Sequence, residues 1–448
     1  MDSAGVASAN QSSPVGKSRW LLGIALVLGA LASASTWFYM NHILRAQQIA
    51  DAKAHDRPRG NLSDLYPRWL GARDLLLHRQ NPYSEETTRE IQRGYYGRPL
   101  DPMRADDPKD QQGFVYPVYV VFLLAPTVGL PFEQVETGFR WFLIALAVGS
   151  VLLWIPVLRW KVSPGYTLVL AVLALGWLPM VQGIKLQQLS LLVAGLLAAC
   201  GACLAGGWLL LAGALLALAT IKPQLTWPLV LWLTVWAMSD WRARKRTVLG
   251  FALAMVLLLG GAQLILPGWL KMFVSAIGQY HHYTQNQSVL VWMFGSLAGW
   301  IFEVSCVLAC AALLWPLREA PATTAEFGRA TALVLALTVA IAPMFAPYNQ
   351  VLLLPAILLL IKTATSPASI LPAFQPARLV GLVLLLWPWI ATLTLTALYP
   401  WMTPNLRQHL WPMPFYSNFV LPIFIFALAA LDCWANASSG LREAFAPE

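Results

Sequence analysis

From residue 114 to residue 435 the chain is a succession of apolar segments separated by short polar joints, and this pattern leaves very few folds open. The segments run at about 114–130, 139–158, 166–181, 188–205, 207–221, 224–238, 247–266, 296–316, 330–346, 350–363, 379–399 and 418–435. An α-helix needs roughly 20 apolar residues to cross hydrocarbon, and several of these approach that length. A soluble domain carries about a quarter charged residues; here Asp, Glu, Lys and Arg make up 11% of 448 residues and apolar side chains 58%. Hydrocarbon offers the backbone no water to bond, so such segments must be helical. The sequence predicts an all-α polytopic integral membrane protein with about twelve crossings. The shorter, Pro-interrupted segments can enter the membrane where they line a cavity inside the protein.

The N-terminal apolar run starts at Trp20, behind Lys17 and Arg19, and continues to about Ile43. That is too long for a cleaved signal core, so an uncleaved first helix is expected, with 1–19 as a cytoplasmic tail. The long polar stretch 44–113 follows. Two pieces of it read as amphipathic surface helices, Ser63 to Arg79 and Ser84 to about Tyr95, separated at Asn81-Pro82.

Basic residues set the sidedness. Arg242, Arg244, Lys245 and Arg246 form the strongest cluster, joined by Arg159 with Lys161, Arg318 with Arg329, Lys362 with Arg378, and Arg442. With all of these in the cytoplasm, the helices from 139 onward alternate without conflict, 44–113 becomes the first extracytoplasmic loop, and 436–448 is a cytoplasmic tail. Residues 114–130, with Pro117 and Pro126, then fit only as a re-entrant or surface segment. The net charge of +9 sits at helix ends and in short loops, which argues against nucleic acid as a partner. Cys200, Cys203, Cys306, Cys310 and Cys433 lie inside apolar runs and read as packing residues.

This topology gathers the polar and aromatic loops on the outer side. They carry Asp64, Arg68, Lys185, Lys222, His281, His282, Tyr283, Asn286, Gln287, Tyr348, Asn349, Arg407 and His409. Asp64 near a helix start can be an N-cap or an i,i+4 partner of Arg68. Lys222 can be an interfacial anchor or a cation for phosphate. The run 279–288 is rich in groups that suit a sugar or phosphate, but adjacent histidines make a poor metal site. No GxxxxGK[ST], HExxH or GxSxG occurs, and no DxD lies beside Asp64. No cofactor is expected; a divalent metal is compatible with the chemistry but not indicated.

The order of motifs resembles glycosyltransferase family 87. Asp64-Leu65-Tyr66 opens an amphipathic helix, followed by Asn81-Pro82-Tyr83 and Phe114-Val115-Tyr116-Pro117. Gln187-Gln188-Leu189, Ala219-Thr220-Ile221-Lys222-Pro223-Gln224 and Asn286-Gln287-Ser288 come later. The chain departs from the family in a long polar insert around Asp101–Gln112 and in Ala346-Pro347-Tyr348-Asn349-Gln350. The resemblance, over most of 20 to 360, implies a membrane enzyme of the C-type glycosyltransferase fold, with one transmembrane catalytic domain over 20–435 in a cytoplasmic (inner) membrane. It is similar to the α-mannosyltransferases of phosphatidylinositol mannosides. It implies a polyprenyl-phosphate sugar, mannose by that similarity, as donor. The acceptor is lipid-linked or a glycan, membrane lipids surround both, and Asp64 maps onto the family's general base. The chemistry agrees: a carboxylate deprotonates the acceptor hydroxyl, and Lys222, Arg407 or a histidine steadies the departing phosphate. The rival reading is a transporter or flippase of a lipid-linked sugar. It predicts charges at the midplane and paired broken helices; Glu303 is the main acid within an apolar run, and no internal repeat is evident.

Overall fold

The computed structural model describes residues 14–56, 63–101, 103–284, 287–343, 346–364 and 375–444, with side chains between 20 and 436. Among them the regular structure is helical throughout, without a strand. Seven helical stretches are long and apolar enough to cross a membrane: Trp20–Ala54, Phe132–Val157, Trp241–Ile265, Ser296–Leu314, Pro347–Ala364, Gln375–Trp401 and Pro404–Asn436. An eighth forms if the bent pair Pro164–Gly176 and Leu178–Lys185 counts as one. The remaining apolar helices, Leu189–Ala205, Leu209–Ala219, Pro223–Ser239 and Ala325–Ile341, have 17 residues or fewer. With the bent pair counted as one span, these four are what separates the eight candidate spans from the expected dozen.

Large apolar side chains remain bare on the outside of the long helices. Leu264 is 85% exposed, Leu257 75% and Leu297 74%. In water a surface of this kind would drive aggregation; covered by acyl chains it has no cost. The protein is membrane-embedded.

The bent pair shows how a broken helix is tolerated. Pro179 has no N–H to give Leu175, and the chain turns by 60° at Trp177. The freed carbonyls find indole donors from other helices: Trp37 Nε1 bonds Leu175 O at 3.1 Å and Trp389 Nε1 bonds Gly176 O at 2.8 Å. Elsewhere glycine sets the spacing. A Cβ at Gly213 would lie 2.1 Å from the Thr247 carbonyl oxygen, and one at Gly250 would lie 2.1 Å from that of Leu210. Only glycines at these positions let the 209–219 and 241–265 helices touch backbone to backbone.

The first loop differs from expectation in detail. The first helix does not end at Ile43 but passes through a π-helical turn, Tyr39–Leu44, into Arg45–Ala54. Strong helix formers there give the chain no reason to stop. The surface helix from Ser63 is a short α-helix, Tyr66–Arg73, closed by a π turn Asp74–His78; the next, Glu85–Tyr96, is capped by Ser84, whose Oγ accepts from Thr87 N. Residues 114–130 hold only the helix Val120–Leu124 and a 3₁₀ turn, too short for a crossing. Trp69 Nε1 bonds Thr127 O at 3.2 Å and Tyr119 OH bonds Thr220 O at 2.9 Å, which tie this segment to the surface helix and to the Lys222 hairpin.

At the far end of the bundle, Asp432 sits 3.3 Å from Arg329 Nε and 3.8 Å from Arg378 Nη2, all three mostly buried. Removing the carboxylate takes the ion pair from Arg378 and leaves Arg329 with Glu326 alone, at 3.3 Å. Asp432→Ala is expected to lower stability by about 2–3 kcal/mol, read as an earlier thermal transition in detergent; an unchanged transition would remove the cluster from the bundle's stability.

Candidate active site

Ser63 and Asp64 enter the surface helix along the hairpin that follows the bent pair. Asp64 N donates to Leu186 O at 2.8 Å, and Leu65 N donates to Ser63 Oγ at 3.1 Å. The helix takes Leu65 as its N-cap with no side-chain bond. The Asp64 carboxylate therefore caps nothing. One oxygen accepts from Tyr95 OH at 3.2 Å, and the other accepts from Gln188 Nε2. Arg68 donates from Nη1 to the backbone oxygen of Asp64 at 2.8 Å, an i,i+4 contact that leaves the carboxylate free of it. Burial holds the Asp64 carboxyl above the usual carboxylate range, against the pull of Arg68, Gln188, Lys222 and Tyr95.

Lys222 is 5% exposed and points inward, so it does not snorkel. Its ammonium donates to Gln188 Oε1 at 2.9 Å and to Ser190 Oγ at 2.7 Å. It lies 5.3 Å from the centre of the Tyr348 ring and 5.8 Å from that of Tyr116. Among the described residues no carboxylate lies within ion-pair distance, and burial pulls its pKa down. Gln188 joins the two charged groups, since its amide nitrogen serves Asp64 and its oxygen serves Lys222. Ser190 passes the chain on to Asn349 Oδ1 at 2.7 Å. Gln187 holds a left-handed φ of 48°, uncommon for a residue other than glycine. That turn lets Gln188 face Asp64 while Gln187 bonds back to Ile184 O.

Asp64, Arg68, Lys222, His281 and Tyr348 line one cavity of about 240 Å³, together with Tyr116, Gln188, Gln224, Tyr280, Asp110 and Gln112. Phe273, Ile277, Tyr280 and His281 come from one face of the helix Trp269–Thr284, at i, i+4, i+7 and i+8. His282 and Tyr283 are turned off that face and do not line the cavity. Arg68 stacks over Tyr116 at 4.7 Å, and its Nε has no hydrogen-bond partner. Beyond Gln188 and Ser190, the Lys222 ammonium has the neutral Tyr116 hydroxyl as a hydrogen-bond partner. The cavity thus holds an ammonium with only neutral partners and a spare guanidinium donor beside a carboxylate.

The other expected residues lie apart. Lys185 donates to Met40 O, Arg407 to Met402 O at 3.0 Å, and His409 bonds Asn405 O at 2.8 Å within its own turn. Gln287 is exposed, and Asn286 falls outside the described residues. Reading the sequence for charges missed Gln188 as the bridge, although Gln187-Gln188 was visible as a motif. It also missed Asp110. The polar insert folds back because Arg98 pairs with Asp107 at 2.5 Å and Tyr96 OH bonds Asp110 O at 2.9 Å. Gln112, at φ 56°, gives the Asp110 carboxylate two donors at 2.9 and 3.0 Å and fixes it on the cavity wall. Nothing in the local sequence signals this.

The sequence model of glycosyltransferase family 87 matches residues 114–347, just over half of the chain. The chain belongs to glycosyltransferase family 87. The match contains Tyr116, Gln188, Lys222 and His281; Asp64, Arg68 and Tyr348, from outside it, close on the same cavity. No curated protein and no solved structure matches the chain. The protein is a membrane glycosyltransferase, and a sugar donor and an acceptor are its substrates.

Proposed function

We propose that the protein transfers a hexose, mannose by its resemblance, from a polyprenyl phosphate to a lipid-linked or glycan acceptor on the extracytoplasmic face of a cytoplasmic membrane. The observation that carries this reading is a carboxylate and a buried ammonium held one glutamine apart in a single cavity. Asp64 takes the proton of the acceptor hydroxyl as its oxygen attacks the anomeric carbon. The bond from that carbon to the phosphate oxygen breaks, and its electron pair leaves with the phosphate. Lys222 and Arg68 supply donors to the charge that develops there. One displacement inverts the anomeric centre. A carboxylate whose pKa is raised by burial is a stronger base than one in water, which suits the step.

The four helices too short to be counted by length would complete about twelve crossings of a C-type fold. Purified protein given a polyprenyl-phosphate mannose should form product of inverted configuration. Mass spectrometry of lipid-linked glycans from a strain lacking the gene should show a species one hexose shorter, restored by complementation. An identical glycan profile in both strains would refute the reading.

The sidedness is testable separately. The exposed positions Glu86 and Lys245 lie in the surface helix and in the basic cluster. Glu86→Cys should react with an impermeant thiol reagent from outside, and Lys245→Cys should react only after permeabilisation. The reverse pattern would invert the topology.

A further inference from the structure

A second cavity, of about 630 Å³, takes part of its lining from the same 3₁₀ turn as the first. Consecutive residues of the 3₁₀ turn Pro347–Leu353 face the two: Pro347 lines the second cavity and Tyr348 the Asp64 cavity. The two are also linked along the chain by Gln182, which lines the second, and Gln188, which lines the first. One wall of the second cavity is aromatic, with Trp411 and Phe415 set edge to face at 6.5 Å. The polar groups of its lining include Gln48, Asp51 and Gln182. Asn418 also lines the cavity; its side chain is fully buried, yet neither amide atom has a hydrogen-bond partner, and Gln182 Oε1 has none either.

Unpartnered buried amides are rare in finished cores and need an explanation. An isoprenoid or acyl chain gives them nothing and would leave them unpaired. A pyranose answers both kinds of lining at once: its C–H face packs on an aromatic ring and its rim of hydroxyls bonds amides and a carboxylate. We propose that this second cavity binds the glycan part of the acceptor, one or two sugar units back from the hydroxyl that reacts. The inference rests on the transferase reading of the Asp64 cavity. It makes an extended saccharide, not a single sugar or a bare lipid, the preferred acceptor.

The test uses the full-length protein in nanodiscs and saturation-transfer NMR with methyl glycosides of α1→2- and α1→6-linked mannobiose as probes. Wild-type protein should bind at least one of them, and Asp64→Asn should bind it equally well, so the readout does not depend on transfer. Trp411→Ala and Asn418→Leu should each weaken binding about tenfold or more. Gln48→Ala, at a partly exposed helix position, provides a variant that retains the fold if either of those is not monodisperse. No saccharide binding to wild type, or binding unaffected by all three substitutions, would overturn the proposal. So would labelling of the Trp411–Phe415 segment by a photoreactive isoprenyl phosphate, which would make the cavity a lipid site. If the transferase reading alone failed, Asp64→Asn would transfer normally while these binding results stood.

Discussion

Asp64→Asn is expected to cut sugar transfer by roughly 10²–10⁴-fold, the typical worth of a positioned general base, while the protein stays folded and binds its donor. The surroundings allow so clean a separation. The carbonyl of the substituted asparagine can keep the bond from Gln188 Nε2, and its amide can donate to the Tyr95 hydroxyl oxygen, which accepts as readily as it donates. Only basicity is lost. A structural carboxylate would behave otherwise: Asn would be tolerated, Ala would strand the Gln188 amide, and activity would follow stability. The pH profile carries the same information. Asp64 must be ionised to act, and burial raises its pKa, so activity should fall as pH drops through a value above the ordinary carboxylate range. Asp64→Asn should abolish that limb. Near-wild-type transfer by purified Asp64→Asn would remove Asp64 from the mechanism. Attention would then pass to Asp110, the other carboxylate on the cavity wall, and not to Asp74 or Glu85, which pair with His78 and Arg89 away from it.

What the sequence made legible was what periodicity and composition encode locally. Long uncharged runs demanded helices in lipid, and the alternation of basic loops, with Arg159 and Lys161 kept on the cytoplasmic side, left no full span for 114–130. Asp64 and Lys222 stood out because a charge in a hairpin or at a helix entry needs a reason. The count of spans was less legible, since Leu189–Ala205 and Leu209–Ala219 are apolar enough but too short, and only packing decides what such helices do. Burial of Lys222 could not be read, because snorkelling and inward-facing lysines share the same flanking pattern. Asp110 was invisible for another reason. It reaches the cavity through an ion pair between Arg98 and Asp107 and a left-handed turn at Gln112, all inside a polar insert whose composition matches any solvated loop. Arg407 shows the converse: a cation that stood out in the sequence but is spent on the Met402 carbonyl and the Tyr399 ring.

Lys222→Met should lower kcat/KM for a polyprenyl-phosphate donor by about 30-fold or more, a loss of about 2 kcal/mol in transition-state stabilisation. Methionine matches the lysine stem in length and stays at ease in a buried site, so it removes the charge with less damage than alanine. Both substitutions take the donor from Gln188 Oε1, but alanine would also open space beside Tyr116 and Tyr348, and its effect would mix more stability with the chemistry. The argument for a large effect is electrostatic. A buried ammonium with no carboxylate within ion-pair distance among the described residues, and only the neutral partners Gln188, Ser190 and Tyr116, is costly to maintain unless an anion completes it. A leaving phosphate gains charge as the sugar departs, so the contact strengthens toward the transition state. Lys222→Arg should recover part of the rate, since the charge returns but the planar fork cannot reproduce the bonds to both Gln188 and Ser190. The measurement that decides is the split between donor and fold. Lys222→Met should remain monodisperse with a thermal transition near that of the wild type, while its rate falls. Unimpaired turnover by a folded Lys222→Met would assign the phosphate to Arg68 alone and reduce Lys222 to a structural link between the two hairpins.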